Sequence, residues 1–247
     1  MSTAANPSPN LLELSGVHTH IGAYHILHGV DLAVPRGQLT MLLGRNGAGK
    51  TTTLRTIMGL WRASQGRIAF GGADITALPT PAIARLNIAY VPENMGIFAD
   101  LTVQENLLLA ARGASRADRM DAQRLQWIFG MFPAVEKFWN HPAGKLSGGQ
   151  KQMLAVSRAI VEPRRLLIVD EPSKGLAPAI INNMIDAFQQ LKASGTTILL
   201  VEQNIHFAKR LGDSVAVMDD GRVVHAGSMQ ALAEDTALQQ RLLGLSL

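Results

Sequence analysis

Short apolar runs alternate with segments of helical periodicity along this chain. Five runs have the length of a strand: residues 39–43 (LTMLL), 88–91 (IAYV), 166–170 (LLIVD), 197–201 (TILLV) and 215–218 (VAVM). Continuous apolar strands of this kind are typical of strands buried on both faces, and helical segments between them favour parallel pairing. We therefore expect an α/β fold with a mostly parallel sheet covered on both faces.

Two other stretches carry the pattern of antiparallel hairpins. Residues 66–75 (GRIAFGGADI) contain Gly71-Gly72, and residues 215–227 contain Asp220-Gly221. Both dipeptides suit two-residue hairpin turns, since they tolerate positive φ angles. The N-terminal segment up to residue 42 also shows strand alternation and turns, so we predict an antiparallel β flank beside the core.

The middle of the chain has a helical character. Residues 98–145 lack strand patterns, and Thr102 and Glu105 form a capping box (TVQE) ahead of the apolar run NLLLAAR. This pattern predicts a helical subdomain, which we place at about 94–162.

Composition supports one large domain. The chain has 247 residues, of which 47% are apolar and 17% charged, enough to bury a sizeable core. We expect residues 11–247 to form a single domain and residues 1–10 to form a disordered tail, because MSTAANPSPN lacks the basic and apolar regions of a signal peptide. The longest apolar runs are shorter than the ~18 residues of a membrane helix, so we expect a soluble or peripheral protein.

Cysteine content and charge exclude some classes of site. The chain contains no cysteine, which rules out disulfides, thiolate zinc sites and cysteine nucleophiles. The net charge is +4, with the basic residues scattered. Scattered positive charge does not single out nucleic acid as a partner.

A glycine-rich loop at residues 44–51 (GRNGAGKT) carries the first chemical motif. It matches G-x-x-x-x-G-K-[ST] between a predicted strand and a predicted helix, the context in which such a loop binds a nucleoside triphosphate. Backbone N–H groups and the positive helix end can surround phosphate, Lys50 can reach the β- and γ-phosphates, and Thr51 can bind Mg²⁺. The candidate nucleotide-binding residues are Gly44, Arg45, Asn46, Gly47, Ala48, Gly49, Lys50, Thr51 and Thr52.

Two acids end the strand at 166–170. Asp170 lies where a strand-end carboxylate can reach Mg²⁺, and Glu171 follows, placed to orient or deprotonate an attacking water. A solvated acidic turn is the alternative. The phosphate loop upstream favours the catalytic interpretation, with Asp170 as metal ligand and Glu171 as general base.

The segment LSGGQ at 146–150 makes a second anion-binding helix start. One nucleotide has little use for two such sites, so the second favours a nucleotide held by another subunit. With its three motifs in this order, the chain resembles the ATP-binding cassette (ABC) family over about residues 11–230. The resemblance implies ATP and Mg²⁺ as cofactors, transport-coupled ATP hydrolysis, and a P-loop ATPase core with an inserted helical subdomain. It also implies a head-to-tail pair of cassettes in which each completes the other's site with Ser147, Gly148, Gly149 and Gln150.

Some positions depart from the family pattern. Glu93 stands where the family has a metal-linked glutamine; it can still bind metal, as an anion. Gln203 stands at the family's switch histidine; it can donate to a γ-phosphate but cannot titrate near neutral pH. We expect His206, three residues later, to be exposed on a helix. The adenine-stacking aromatic falls by spacing on Ile21, and Tyr24 is close enough to substitute for it or is an exposed structural residue.

The stretches YVPE, GLAP and VEQN together resemble the ATPase subunits of branched-chain amino acid importers, specifically the second of their two ATPases; urea and amide importers belong to the same group. The resemblance implies a peripheral location on the cytoplasmic face of the inner membrane. It implies as partners integral membrane permeases, a periplasmic binding protein indirectly, and no nucleic acid. The second cassette is either a different chain or a second copy of this one. Glu93 and Gln203 favour a different chain, because both weaken a site built from two copies.

One apolar pair suggests where a permease docks. Ile97 and Phe98 lie in a loop-like stretch between the position of Glu93 and the helical subdomain. They are candidates for a docking surface, or they pack into their own subdomain. A non-transport ABC ATPase is the remaining rival, but it would need a long coiled-coil insertion, and none is visible between Leu60 and Leu146.

Overall fold

The computed structural model describes residues 9–111 and 120–244. The strands are β1 (Asn10–Ile21), β2 (Tyr24–Pro35), β3 (Leu39–Gly44), β4 (Ala63–Phe70), β5 (Ala73–Asp74), β6 (Ile88–Val91), β7 (Leu166–Asp170), β8 (Thr197–Glu202), β9 (Ser214–Asp219) and β10 (Arg222–Ser228). The helices are α1 (Lys50–Ile57), α2 (Thr80–Arg85), α3 (Val103–Ala110), α4 (Ala122–Met131), α5 (Pro133–Lys137), α6 (Gly148–Ile160), α7 (Pro178–Ala193), α8 (Ile205–Leu211), α9 (Met229–Glu234) and α10 (Thr236–Leu243), with a 3-10 turn at Ala143–Lys145.

The five apolar runs form five of the six strands of the central sheet, as predicted. Its order is β10-β9-β3-β8-β7-β6, and every pair except β9–β10 is parallel. Along β3, Leu39, Met41 and Leu43 belong to one buried layer, whereas Leu42 belongs to the layer on the other face. The sheet is therefore covered on both sides. This explains why the sequences of its parallel strands are continuous apolar runs.

The antiparallel flank is also confirmed. It is a four-stranded sheet in the order β2-β1-β4-β5, and Gly71-Gly72 makes the turn between β4 and β5. In the central sheet, Asp220-Gly221 makes the turn between β9 and β10 with both residues at positive φ. The predicted tail needs one correction: Asn10 already belongs to β1, because it pairs with Pro35. Residues 1–8 lie outside the described part of the chain.

Helices α3 to α6 form the region predicted to be helical. The capping box is present at the start of α3, where the Thr102 hydroxyl accepts from Glu105 N and the Glu105 carboxylate accepts from Thr102 N. Asn106 is fully buried and bonds to both backbone groups of Phe98, at 2.9 Å each, which fixes the loop ahead of α3. Residues 112–119, inside the predicted subdomain, lie outside the described part. No helix among the described residues is long and apolar enough to cross a membrane.

Candidate functional site

The phosphate loop connects β3 to α1 at the edge of the sheet where the parallel strands end. A Cβ at Gly44, where φ is +150°, would lie 2.4 Å from the carbonyl oxygen of Met218. Gly49 precedes α1 with φ +99°, in the region that favours glycine. The loop is also held from β10, because Gly221 N donates to Ala48 O at 3.0 Å. These glycines are required by the close approach of neighbouring backbone and by the turn.

Lys50 lies inside this loop rather than on its surface. Its side chain is buried, and Nζ donates to Gly44 O at 2.8 Å and to Arg45 O at 3.0 Å. Nζ also lies 3.7 Å from Glu171 Oε1. Burial lowers the pKa of Lys50, and the nearby carboxylates of Glu171 and Asp170 oppose that shift. The ammonium group is thus held inside the glycine-rich loop by two carbonyl partners of that loop.

Asp170 has the surroundings expected of a metal ligand. It is 1% exposed, and within the described part of the chain neither carboxylate oxygen has a hydrogen-bond partner. Burial raises the pKa of Asp170 to about 6; the charges of Glu171 and Glu93 add to this rise, and the Thr51 hydroxyl and Lys50 oppose it. A buried carboxylate without partners is costly. A hard divalent cation beside Thr51 would satisfy these oxygens, so the residues present fit Mg²⁺.

Glu171 occupies a strained position directly after β7. Its φ is +48°, a left-handed conformation that costs a non-glycine residue on the order of 1–3 kcal/mol. The backbone is held there because Glu171 N donates to Val201 O at 2.9 Å. Its Oε1 accepts from Gln203 Nε2 at 2.5 Å, and its side chain is 8% exposed. This backbone conformation places the carboxylate beside Lys50 at the phosphate loop.

Gln203 joins the acidic strand end to the phosphate loop. Besides Glu171, its Nε2 donates to Asn46 Oδ1 at 2.8 Å. Gln203 follows Glu202, a buried acid whose oxygens accept from the backbone N–H groups of Ser173, Gln203 and Asn204. This arrangement supports placing VEQN at the switch position. Sequence reasoning missed Glu202. The signal for it was its position at the end of an apolar strand, where a carboxylate is buried and needs hydrogen-bond partners.

Lys174 was also missed, and it changes the electrostatics of Glu93. Its Nζ lies 2.5 Å from Glu93 Oε1 and 3.4 Å from Glu171 Oε2. The two carboxylates raise the pKa of Lys174, with the hydrogen bond to Glu93 as the largest cause. The negative charge at Glu93 therefore has a partner within the chain and does not depend on a metal ion for compensation. The lysine was visible in the sequence three residues after Glu171.

Some candidate residues lie away from this cleft. The cleft is lined by Ile26, Asn46, Gly47, Gly49, Lys50, Thr51, Thr52, Glu93, Glu171 and Lys174. Ser147 caps α6 by accepting from Gln150 N, and Gln150 accepts from Ser147 N in return, so LSGGQ forms a separate helix start with Gly148 and Gly149 in its first turn. Tyr24 lies at the turn between β1 and β2 and is 76% exposed. The strand β2 reaches the cleft through Ile26 instead.

His206 is exposed on α8, as expected. The backbone of Arg45 belongs to the phosphate loop, but its guanidinium extends toward Gly244 at the end of α10. Arg45 does not line the cleft that contains Lys50.

Comparisons with known proteins find relatives over most of the chain. The family model described as ABC transporter matches residues 27–174. The branched-chain amino acid transport ATP-binding protein BraG of Pseudomonas aeruginosa is 38% identical over 235 residues, covering 95% of this chain and all of that protein. The probable branched-chain amino acid transport ATP-binding protein LivF of Archaeoglobus fulgidus is 36% identical, over 90% of this chain and 93% of that protein. A solved ATP-binding subunit of an ABC transporter superposes with a TM-score of 0.80 at 31% identity, over 95% of this chain and 96% of that one. The chain therefore belongs to the ABC transporter family.

Proposed function

We propose that this chain is the ATP-hydrolysing subunit of an importer for branched-chain amino acids. The observation that carries the proposal is the convergence of Lys50, Glu171 and Gln203 on one phosphate loop, with hydrogen bonds and an ion pair linking strands β3, β7 and β8. The names of BraG and LivF supply the substrate class.

ATP binding uses the loop amides of residues 44–52 and the ammonium of Lys50. Lys50 exchanges its bonds to Gly44 O and Arg45 O for phosphate oxygens, and charge-assisted bonds of this kind are about twice as strong as neutral ones. Thr51 and Asp170 would hold Mg²⁺, and the bound ion would neutralise part of the phosphate charge. Tyr24 lies near enough in sequence to Ile26 to fold over the adenine, and this role for Tyr24 stays a prediction.

Hydrolysis uses Glu171 as the general base. Gln203 holds Glu171 through the bond at 2.5 Å and Asn46 through the bond at 2.8 Å, so the base is oriented toward the phosphate loop. Lys174 offsets the charges of Glu93 and Glu171 at the rim of the cleft. A water molecule between Glu171 and the γ-phosphate gives up a proton to the carboxylate as its oxygen bonds to the γ-phosphorus. The bond from that phosphorus to the β–γ bridging oxygen breaks, and ADP and phosphate are released.

A second cassette completes the site. Ser147, Gly148, Gly149 and Gln150 lie at a helix N-terminus outside the cleft of their own chain, where they are free to meet the γ-phosphate of a partner. Gln203 cannot become an imidazolium, which favours a heterodimer with a second ATPase over a homodimer. The charge of Glu93 is offset by Lys174 and adds little to this preference.

The permease partners dock where the helical region meets the core. A groove of about 730 Å³ opens there, lined by Leu60, Trp61, Tyr90, Met95 and Arg158 among others. Phe98 lies beside it, 50% exposed, with the Arg158 guanidinium 5.1 Å from its ring centre. An exposed apolar ring with a cation beside it offers a contact surface for a cytoplasmic helix of the permease. The chain then lies peripherally on the cytoplasmic face of the membrane, and the periplasmic binding protein acts through the permeases.

The variant Glu171→Gln tests the proposed chemistry. It keeps the size of the side chain but removes the base, so we expect ATP binding to persist while turnover falls by about 10²- to 10⁴-fold. Nucleotide affinity is measured with a fluorescent ATP analogue, and phosphate release gives the rate. Hydrolysis at the wild-type rate by this variant would remove Glu171 from the role.

A further inference from the structure

Four of the seven histidines lie together on the antiparallel flank. His18 and His20 belong to β1, and His25 and His28 belong to β2. The antiparallel register pairs His18 with His28 and His20 with His25. Ring centres are 4.1 Å apart for His20–His25 and His25–His28, and 5.1 Å apart for His18–His25. The cluster shares no lining residue with the phosphate-loop cleft.

Two ring nitrogens in this cluster are spaced like ligands of one ion. His18 Nδ1 and His25 Nε2 are 3.0 Å apart. Imidazole nitrogens bind zinc at about 2.0–2.1 Å, which separates two ligands by about 2.9 Å at a right angle and about 3.3 Å at the tetrahedral angle. The observed separation lies between these values. The two nitrogens now share one hydrogen in a ring-to-ring hydrogen bond, and moving that hydrogen to the other nitrogen of the same ring leaves both lone pairs available to one ion.

We propose that His18 and His25 form a binding site for a divalent transition-metal ion of the Zn²⁺, Ni²⁺ or Cu²⁺ class, with water completing its coordination. Across residues 9–111 and 120–244, no three His, Asp or Glu side chains form a metal-binding group, so the protein supplies two imidazoles.

His20 supports the site from outside the coordination shell. Its Nδ1 lies 3.0 Å from Ser64 Oγ on β4, and its ring stacks on His25 with the planes 8° apart. The stack restricts His25 to an orientation near His18. Imidazole nitrogen selects transition metals, whereas Mg²⁺ selects oxygen, so this site and the one at Asp170 bind different ions.

The test is equilibrium binding of Zn²⁺, Ni²⁺ and Cu²⁺ to the full chain without a polyhistidine tag, by competition with a chromogenic chelator. Nucleotide is omitted, and millimolar Mg²⁺ is present to occupy the carboxylate site. We expect one tight site. Removing a residue that only supports a metal ligand typically costs about 10- to 100-fold in metal affinity. Removing a ligand itself should cost no less, so we expect His18→Ala and His25→Ala each to weaken binding at least tenfold. His206→Ala, on exposed α8, is the matched control and should bind like wild type.

Electron paramagnetic resonance of the Cu²⁺ form identifies the ligands directly. Two nitrogen couplings are expected in wild type and one in each single variant, and this readout on wild type does not depend on the variants folding. The proposal is overturned if Cu²⁺ shows no paired nitrogen coupling, or if His206→Ala lowers affinity as much as His25→Ala. A further measurement omits Mg²⁺. If the transition-metal ion binds only when Mg²⁺ is absent, the ion occupies the carboxylates and the proposal is overturned.

Discussion

Replacing Asp170 by asparagine should stabilise the nucleotide-free and metal-free protein at pH 8, although it removes a proposed metal ligand. The carboxylate is 1% exposed and has no hydrogen-bond partner in the described part of the chain. Without a cation it is a buried charge that the Thr51 hydroxyl and Lys50 compensate only in part, and asparagine of the same size carries none. The site therefore holds an electrostatic cost that cation binding or protonation relieves.

The magnitude follows from the pKa. Asp170 has a pKa of about 6 in the folded chain against 3.8 in an exposed carboxyl group, and each pKa unit is worth about 1.4 kcal/mol. Between these values the folded state binds more protons than the unfolded state, so the free energy of unfolding falls as pH rises from about 4 to 6. The cost is absent at lower pH and complete at higher pH, where it reaches about 3 kcal/mol.

Urea unfolding with a chelator at pH 4 and pH 8 measures this difference. We expect Asp170→Asn to exceed wild type by up to about 3 kcal/mol at pH 8 and to match it at pH 4, while Mg²⁺ stabilises wild type and not the variant. Asp100→Asn, at an exposed acid, is the matched control and should change nothing. A variant that is no more stable than wild type at pH 8, or an advantage that persists at pH 4, would refute the reasoning.

Two further predictions concern the switch position and the permease. Gln203→His should raise turnover and add a titration near pH 6.5, the ordinary pKa of imidazole, in a pH–rate profile of the purified chain; His206→Ala is the control, and an unchanged rate and profile would mean that Gln203 is not at the switch position. Phe98→Glu places a charge on the proposed docking surface and should abolish co-purification of the permease subunits from membranes while sparing basal ATP hydrolysis. Leu109→Glu changes an equally exposed apolar residue of α3 and should leave assembly intact; equal loss in both variants would argue against docking at Phe98.

Local patterns in the sequence were sufficient for most of the fold. The five apolar runs became the central strands because a strand buried on both faces has no polar positions to alternate with. Gly71-Gly72 and Asp220-Gly221 marked their turns, since few residues accept positive φ. The phosphate loop was recognisable for the same reason: its glycines are required by backbone geometry that spans only a few residues. Resemblance supplied the family, which the comparisons then showed.

Contacts between segments distant in the chain could not be predicted in this way. Gln203 lies 157 residues from Asn46 and 32 from Glu171, yet it bonds to both. Lys174 offsets Glu93 across 81 residues of chain, so the sequence-based view of Glu93 as an uncompensated charge was incomplete. The histidine cluster depends on the register between β1 and β2, in which a one-residue slip would turn side chains to the opposite face. Turn and strand preferences act over a few neighbouring residues and are therefore written in the local sequence, whereas pKa values and charge pairing depend on which strand ends the folded sheet brings within a few ångströms of one another.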